Sequence, residues 1–132
     1  MTVLIDTNIF LELFLDQERA DECEDFLTKV SNGEIEGIVT HFSVHAIEAI
    51  LNDSEAIQRF LRNLLGSIGL EVYSTTVEDE MAASMLMDHV GLDFDDSLQY
   101  YVAKKLGVEA IVSFDKHFDG VDVVRKEPSD LL

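Results

Sequence analysis

Two acidic side chains of this 132-residue chain follow short apolar runs. Residues 3–5 lead into Asp6, and residues 110–112 lead through Ser113 to Asp115. Apolar runs this short, with no polar face, are typical of strands in a parallel sheet that is covered on both sides. Carboxylates gathered at the ends of such strands are suitable ligands for hard cations such as Mg²⁺ or Mn²⁺. A metal site is therefore one interpretation of these acids.

These acids also have a plainer interpretation. After Asp6, apolar residues recur at positions 9, 10, 13 and 14, which is the spacing of an amphipathic helix. Asp6, Thr7 or Asn8 can therefore simply cap that helix, because all three accept hydrogen bonds from free helix N–H groups. Asp115 can likewise be a turn or capping residue. Each acid taken singly leaves both interpretations open.

A cluster of three acids opens a later helix in the segment DFDDSLQYYVAKKLG. Asp93 and Asp96 have the spacing of a capping pair, and acids are favourable at the positive end of a helix. This explanation accounts for one or two of the carboxylates. It does not account for all three, which favours a function for part of the cluster.

A fourth acid stands in an apolar stripe in the segment THFSVHAIEAIL. On a helix, Val44, Ile47, Glu48 and Leu51 share one face. Burying an unpaired carboxylate costs several kcal/mol, and this segment offers no lysine or arginine within one helical turn. A bound metal ion would remove that cost. The alternative is a slightly different helix phase, which would leave Glu48 at the edge of the stripe.

Strands and helices alternate along the whole chain. The pattern predicts strands 2–5, 36–40, 70–73, 110–113 and 121–124, and helices 8–15, 19–31, 43–52, 54–65, 77–90 and 95–106. We therefore expect a three-layer α/β/α sandwich around a mainly parallel sheet of about five strands. In such sheets the functional crevice lies beyond the carboxyl ends of the strands, where the winding direction reverses. Asp6 and Asp115 are both expected at that edge.

Composition places the chain among globular proteins with a single domain, residues 1–132. It is 47% hydrophobic with a mean hydropathy of +0.10, so a core is available despite a net charge of −18. One cysteine, Cys23, excludes an internal disulfide and suits a reducing compartment. No stretch reads as a signal peptide or a membrane span, which predicts a cytoplasmic protein.

Four segments together resemble the sequence blocks of PIN-domain ribonucleases, the family that includes the VapC-type toxins. In order, they are LIDTNIFLELF, SVHAIEAIL, DFDDSLQYYVAKKLG and AIVSFDKHF. The resemblance implies a PIN-like fold and assigns the catalytic Mg²⁺ or Mn²⁺ ligands to Asp6, Glu48, Asp96 and Asp115. It also implies that the pocket is shaped by Thr7, Asn8 and Ser113. The chain departs from the family in its surplus of acids, which leaves open the supporting roles of Asp93, Asp95 and Asp119.

The resemblance implies metal-dependent hydrolysis of RNA phosphodiester bonds. A site of this kind generates a hydroxide and stabilises the leaving oxygen through one metal or two held roughly 4 Å apart, so it requires no nucleophilic side chain. A toxin role would further imply an antitoxin whose basic side chains enter the acidic pocket. The alternative is a PIN-like scaffold that binds metal or a protein partner without cutting.

Rival sites are weaker. A haloacid-dehalogenase-type phosphatase needs a second Asp two residues after Asp6, where this chain has Asn8. A receiver-type module needs an Asp at the end of its third strand, where this chain reads LEVYSTT. His41, His45 and Glu48 suggest zinc. Solvated or capping histidines are favoured instead, because the resemblance gives histidine no ligand role.

Association and substrate binding follow from the apolar and charged residues. Helices 43–52 and 54–65 carry more large apolar side chains than one sheet face readily covers, which predicts a homodimer.

Only 9 Lys and Arg oppose 27 Asp and Glu, so the general field of the protein repels RNA. We therefore expect metal to be needed for RNA binding. The nearest basic candidates for a phosphate contact are Lys116, Lys104 and Lys105. The acid excess also fits a high-salt host.

Overall fold

The computed structural model describes residues 1–132 and contains a five-stranded parallel sheet in the order β3-β2-β1-β4-β5. The strands are β1 (Thr2–Ile5), β2 (Glu36–Thr40), β3 (Leu70–Tyr73), β4 (Ala110–Val112) and β5 (Arg125–Lys126). The helices are α1 (Thr7–Phe14), α2 (Ala20–Ser31), α3 (His41–Leu51), α4 (Ser54–Gly66), α5 (Val77–Val90) and α6 (Phe94–Leu106). Two 3₁₀ turns follow at Lys116–Gly120 and Pro128–Leu131. The expected α/β architecture is confirmed.

Helices cover both faces of the sheet because successive strand residues point to opposite sides. Val3 and Ile5 belong to a core of 16 buried residues that includes the inner faces of α1, α2 and α3 and Phe60 of α4. Leu4 belongs to a second core of nine buried residues, shared with α5 and α6. The chain therefore forms three layers.

The central strand β1 lies where the winding of the chain reverses. β2 pairs with one side of β1, and β4 pairs with the other side, with Val3 opposite Ala110. The backbone N–H of Asp6 continues this second ladder by donating to the carbonyl of Val112 over 3.0 Å. Asp6 is thereby fixed at the carboxyl edge of the sheet, at the crevice where α/β proteins place their ligands.

The last strand is not where the apolar pattern predicted it. The prediction of a strand over 121–124 is wrong, because β5 spans Arg125–Lys126. Val121 and Val123 pack against the second core from an irregular segment, and the ladder to β4 starts only at the carbonyl of Val124. Apolar residues at these positions indicate burial, whereas strand pairing depends on backbone hydrogen bonds that the side chains do not encode.

The apolar residues of α3 and α4 that suggested a dimer are buried to different degrees. Ile47 and Phe60 are fully buried within the chain, whereas Ile50 and Leu65 are 54% and 88% exposed. Apolar surface is therefore left on both helices, and the homodimer stays a prediction. None of the helices has both the length and the apolar character needed to cross a bilayer.

Candidate functional site

The Asp6 carboxylate is buried beyond the end of β1 and is held by two donors. The amide Nε2 of Gln99, on α6, donates to Oδ1 over 2.5 Å, and the Ser113 hydroxyl donates to Oδ2 over 2.6 Å. The pKa of Asp6 is nonetheless raised, because burial outweighs these hydrogen bonds. Ser113 also accepts the backbone N–H of Asp115 over 2.9 Å, which connects the two acids through one hydroxyl.

A second pair of carboxylates comes from the start of α6 and the end of β4. Asp93 caps α6 by accepting the backbone N–H of Asp96 over 2.9 Å, so the Asp96 side chain is free to face Asp115. Burial, followed by the contact with Asp115 and the nearby like charges, raises the pKa of Asp96 to about 7. The Nδ1 atom of His117 lies 3.1 Å from Asp115 Oδ1 and 3.6 Å from Asp96 Oδ2. Ligand atoms of these three residues lie within 4.8 Å of one another.

These groups share one pocket of about 280 Å³ at the carboxyl edge of the sheet. It is lined by Asp6, Thr7, Asn8, Leu11, Ala46, Ile50, Asp93, Asp95, Asp96, Asp115 and His117. A larger hollow of about 780 Å³ lies between α1, α2 and α4, with Asp16, Glu24 and Arg59 in its lining. We assign the chemistry to the smaller pocket because it gathers five carboxylates.

One oxygen in this pocket is buried without any hydrogen-bond partner. This oxygen is Oδ1 of Asp95. Oε1 of Gln99, one helical turn further along α6, is also buried without a hydrogen-bond partner. Burial and the charges of Asp6, Asp93 and Asp115 raise the pKa of Asp95 to about 6. A divalent cation would satisfy such an oxygen and offset the clustered charge, and donors that are mainly oxygen suit Mg²⁺ or Mn²⁺. The residues present therefore fit a metal.

Glu48 is not brought to this pocket. Its Oε1 lies 3.0 Å from Nδ1 of His45, and α3 presents Ala46 and Ile50 to the acids instead. Residues two apart on a helix point about 200° apart around its axis, so Glu48 faces away from Ala46. The alternative helix phase, with Glu48 at the edge of the apolar stripe, is the one the structure adopts. The expected convergence of its carboxylate with Asp6 is wrong.

Of the remaining candidates, Thr7 and Asn8 line the pocket, and Asp119 does not. The Thr7 hydroxyl donates to Ser43 Oγ over 2.9 Å and so ties α1 to the start of α3. Asp119 is half exposed and pairs with Arg125, whose Nε lies 2.9 Å from Oδ1.

Two of the three lysines proposed to contact phosphate are engaged elsewhere. Lys104 pairs with Asp122 over 3.0 Å, and Lys105 pairs with Asp79 over 2.7 Å. Lys116 is exposed and forms no ion pair, but it does not line the pocket. It is therefore the one lysine of the three that stays available to a substrate.

Sequence reasoning missed Gln99 and His117. Gln99 is 1% exposed, and its signal was present, because it interrupts the buried stripe between Leu98 and Val102 with a polar side chain. His117 lies two residues after Asp115, in a 3₁₀ turn that returns its ring to the acids. The position of the ring depends on the geometry of this turn, which cannot be predicted from the sequence spacing of Asp115 and His117.

The PIN-domain family model matches residues 3–124. Among solved structures, the chain is similar to VapC20 of Mycobacterium tuberculosis, a sarcin-ricin-loop-cleaving toxin, with 19% identity and a TM-score of 0.78. That alignment covers 96% of this chain and 99% of the toxin. A toxin–antitoxin complex from Klebsiella pneumoniae follows at 15% identity and a TM-score of 0.74, covering 96% and 97% of the two chains.

VapBC2 of Rickettsia felis, solved with a DNA fragment from its promoter, has 13% identity and a TM-score of 0.69 over 96% of this chain and 98% of that one. Identities this low establish a shared fold only. None of the curated proteins matches the sequence. The family model, in contrast, spans most of the chain, and this chain therefore belongs to the PIN-domain family.

Proposed function

We propose that this protein is a cytoplasmic, divalent-metal-dependent endoribonuclease. The observation that carries the proposal is the pocket at the carboxyl edge, which is lined by Asp6, Asp95, Asp96 and Asp115 and in which one buried oxygen of Asp95 has no hydrogen-bond partner. Membership of the PIN family and the VapC neighbours support a nuclease role at the level of the family. Metal dependence and the RNA substrate are the finer part of the proposal.

In this proposal Asp6, Asp96 and Asp115 hold the metal, with Asp95 as a further oxygen donor. A bound Mg²⁺ or Mn²⁺ ion supplies Lewis-acid stabilisation of phosphate charge and lowers the pKa of water. Ser113 and Gln99 keep the Asp6 carboxylate oriented through their two hydrogen bonds. His117 lines the same pocket, with its Nδ1 within 3.6 Å of a carboxylate oxygen of both Asp96 and Asp115.

The test is cleavage of fluorescent single-stranded RNA by the purified protein in Mn²⁺ and in EDTA. We expect turnover only in Mn²⁺, and a loss of at least about 100-fold for Asp6→Asn, since this change removes a ligand charge at nearly constant volume. Asp88→Asn, on the exposed part of α5, is the matched control and keeps full activity. Mn²⁺ binding without any cleavage would instead favour the scaffold alternative, and near-normal turnover of Asp6→Asn would contradict the mechanism.

We further propose that the enzyme is the toxin of a toxin–antitoxin pair. The neighbours solved as toxin–antitoxin complexes support this role. A partner suited to the pocket presents basic side chains, because its lining carries five carboxylates. Expression of this chain alone should arrest growth, and co-expression of the neighbouring gene should restore it. Unimpaired growth with active protein present would remove the toxin role.

Self-association is a separate part of the proposal. Ile50 and Leu65 leave apolar surface on α3 and α4, which supports a homodimer interface formed there. Light scattering at tens of micromolar should give the mass of two chains, and Leu65→Glu should reduce it to one. A monomer at that concentration would show that these side chains are ordinary surface residues.

A further inference from the structure

Beside the acidic pocket, two histidines stack at the same edge of the sheet. His41 begins α3 directly after β2, and Ser74 follows β3, the parallel neighbour of β2. The imidazole rings of His41 and His45, one helical turn apart, lie with their centroids 4.3 Å apart and an interplanar angle of 17°. Both residues are exposed, and the proposed function gives them no role.

Neighbouring side chains hold this stack in place. Nδ1 of His45 is 3.0 Å from Glu48, and Nδ1 of His41 is 3.4 Å from the Ser74 hydroxyl. Neither Nε2 atom has a hydrogen-bond partner, and the His45 side chain is 69% exposed. The parallel rings do not converge on a common point with a third ligand, and they are not part of the metal-binding group of side chains. The pair is thus an aromatic surface open to solvent.

The stack borders a hollow of about 240 Å³. The hollow is lined by His41, Phe42, His45, Ser74, Thr75 and Glu80. A nucleobase fits this lining, since it stacks on aromatic rings through its face and donates amino hydrogens to carboxylate and hydroxyl oxygens through its edge. A phosphate fits poorly, because Glu80 would repel it. The chemistry of the lining therefore favours a base over the backbone of a nucleic acid.

Side-chain contacts connect this hollow to the acidic pocket. Phe42 of the hollow packs edge-to-face on Phe94, with centroids 6.1 Å apart, and Phe94 lies between Asp93 and Asp95 of the pocket. Ala46, the residue after His45, lines the pocket directly. The hollow and the acidic pocket thus adjoin each other along α3 and the start of α6.

We propose that His41 and His45 form a base-stacking subsite for single-stranded RNA next to the scissile phosphate. The proposal rests on the proposed ribonuclease function. Stacking is independent of charge, so it supplies affinity that this protein, with 9 basic against 27 acidic residues, cannot draw from a basic surface. This role also explains why the two imidazole rings are exposed to solvent and not packed in the core.

The experiment measures cleavage kinetics in Mn²⁺ and binding in Ca²⁺ with fluorescein-labelled single-stranded RNA of randomised sequence. His45→Ala should raise KM and Kd about tenfold and leave kcat within about twofold, since one base loses its stacking partner. His45→Phe should restore the affinity, because it keeps the ring face. His89→Ala, an exposed histidine on α5, is the control and changes neither constant.

The outcomes separate the subsite from the enzyme. If the wild type cuts RNA and His45→Ala has unchanged KM, the subsite is wrong and the ribonuclease stands. If His45→Phe is as weak as His45→Ala, the histidine acts through charge or hydrogen bonding, and stacking is wrong. If the wild type neither binds nor cuts RNA, both the proposed ribonuclease function and the proposed subsite are wrong.

Discussion

At the scale of single residues, the state of the Asp6 carboxylate depends on the side chains that contact it. Both of its oxygens accept hydrogen bonds, and these lower its pKa, yet burial raises the pKa by more. A carboxylate in this state is costly to keep ionised without a cation. The hydrogen bonds from Gln99 and Ser113 fix the orientation of the Asp6 carboxylate. Gln99 is a positioning residue, since it contacts Asp6 and does not line the pocket.

The first prediction removes this positioning contact. Gln99→Met keeps nearly the same length and removes the amide donor, so Asp6 loses its partner at Oδ1 and its carboxylate can turn. We expect Mn²⁺ affinity to fall about tenfold or more, as for other residues that orient metal ligands. Isothermal titration with Mn²⁺ measures this directly, without an activity assay.

Gln58→Met on the exposed side of α4 is the matched control, since the Gln58 side chain donates its one hydrogen bond to Ser54, on the same helix. It should bind Mn²⁺ as the wild type does. Unchanged Mn²⁺ affinity in Gln99→Met would mean that Ser113 alone orients Asp6.

At the scale of elements, one buried carboxylate joins two helices and a strand. Asp79 of α5 is 2% exposed, and it accepts hydrogen bonds from Lys105 of α6 over 2.7 Å and from Tyr73 of β3 over 2.9 Å. It also closes a capping box with Thr76, whose backbone N–H donates to it over 3.0 Å. These hydrogen bonds lower the pKa of Asp79 to about 2, and the one from Lys105 has the largest effect. This network fixes α5 against α6.

The second prediction concerns that network. Asp79→Asn should lower the free energy of unfolding at pH 7 by about 1–3 kcal/mol, because it weakens hydrogen bonds to a charged group. The carboxylate titrates near pH 4 when unfolded and near pH 2 when folded, so its contribution is complete above about pH 4. The difference between variant and wild type should therefore shrink as the pH falls from about 4 to about 2.

Urea unfolding at a series of pH values measures this difference. Glu78→Gln, an exposed neighbour in the same helical turn, should show a smaller difference with little pH dependence. A difference for Asp79→Asn that stays constant down to pH 2 would show that packing, and not the charge, is responsible.

The elements also show what the sequence could predict. Strands β1 and β4 were predictable because buried parallel strands require uninterrupted apolar runs. Strand β5 was not, because its residues are Arg125 and Lys126, and their place in the sheet depends on backbone pairing with β4. Asp6 and Asp115 could be predicted to meet because strand ends share an edge, whereas Asp96, at the start of a helix, was assigned to the site by the family resemblance. Glu48 could not be placed, since about half a helical turn separates it from the pocket-facing side of α3.

At the scale of the whole molecule, charge opposes the proposed substrate. The net charge is −18, and of the three lysines considered for phosphate only Lys116 lacks an acidic partner. Attraction to RNA must then come from a metal in the pocket and from contacts that do not depend on charge. This arrangement predicts an unusual response to salt.

The third prediction follows. RNA affinity measured by fluorescence anisotropy should be at least about tenfold higher in Ca²⁺ than in EDTA, because the ion offsets carboxylate charge and ligates phosphate. In Ca²⁺, the affinity should fall less than about threefold between 50 and 200 mM salt, since about one lysine releases counterions. Lys116→Ala should remove most of that salt dependence, with Lys29→Ala on α2 as the control.

Equal affinities in Ca²⁺ and EDTA would show that the metal does not recruit RNA. A steep fall with salt would point to basic contacts beyond Lys116. If thermal stability rises with salt while RNA binding is unaffected, the acid excess reflects adaptation to a high-salt host.

The position of β1 in the middle of the sheet has a consequence for synthesis. Asp6 leaves the ribosome long before β4, which fixes it through Val112, and long before Asp115. Contacts across so much of the chain form only after its distant parts are available. A nascent chain therefore has no complete pocket. Under the proposed function, the protein therefore cannot cut RNA before β4 and Asp115 have been synthesised.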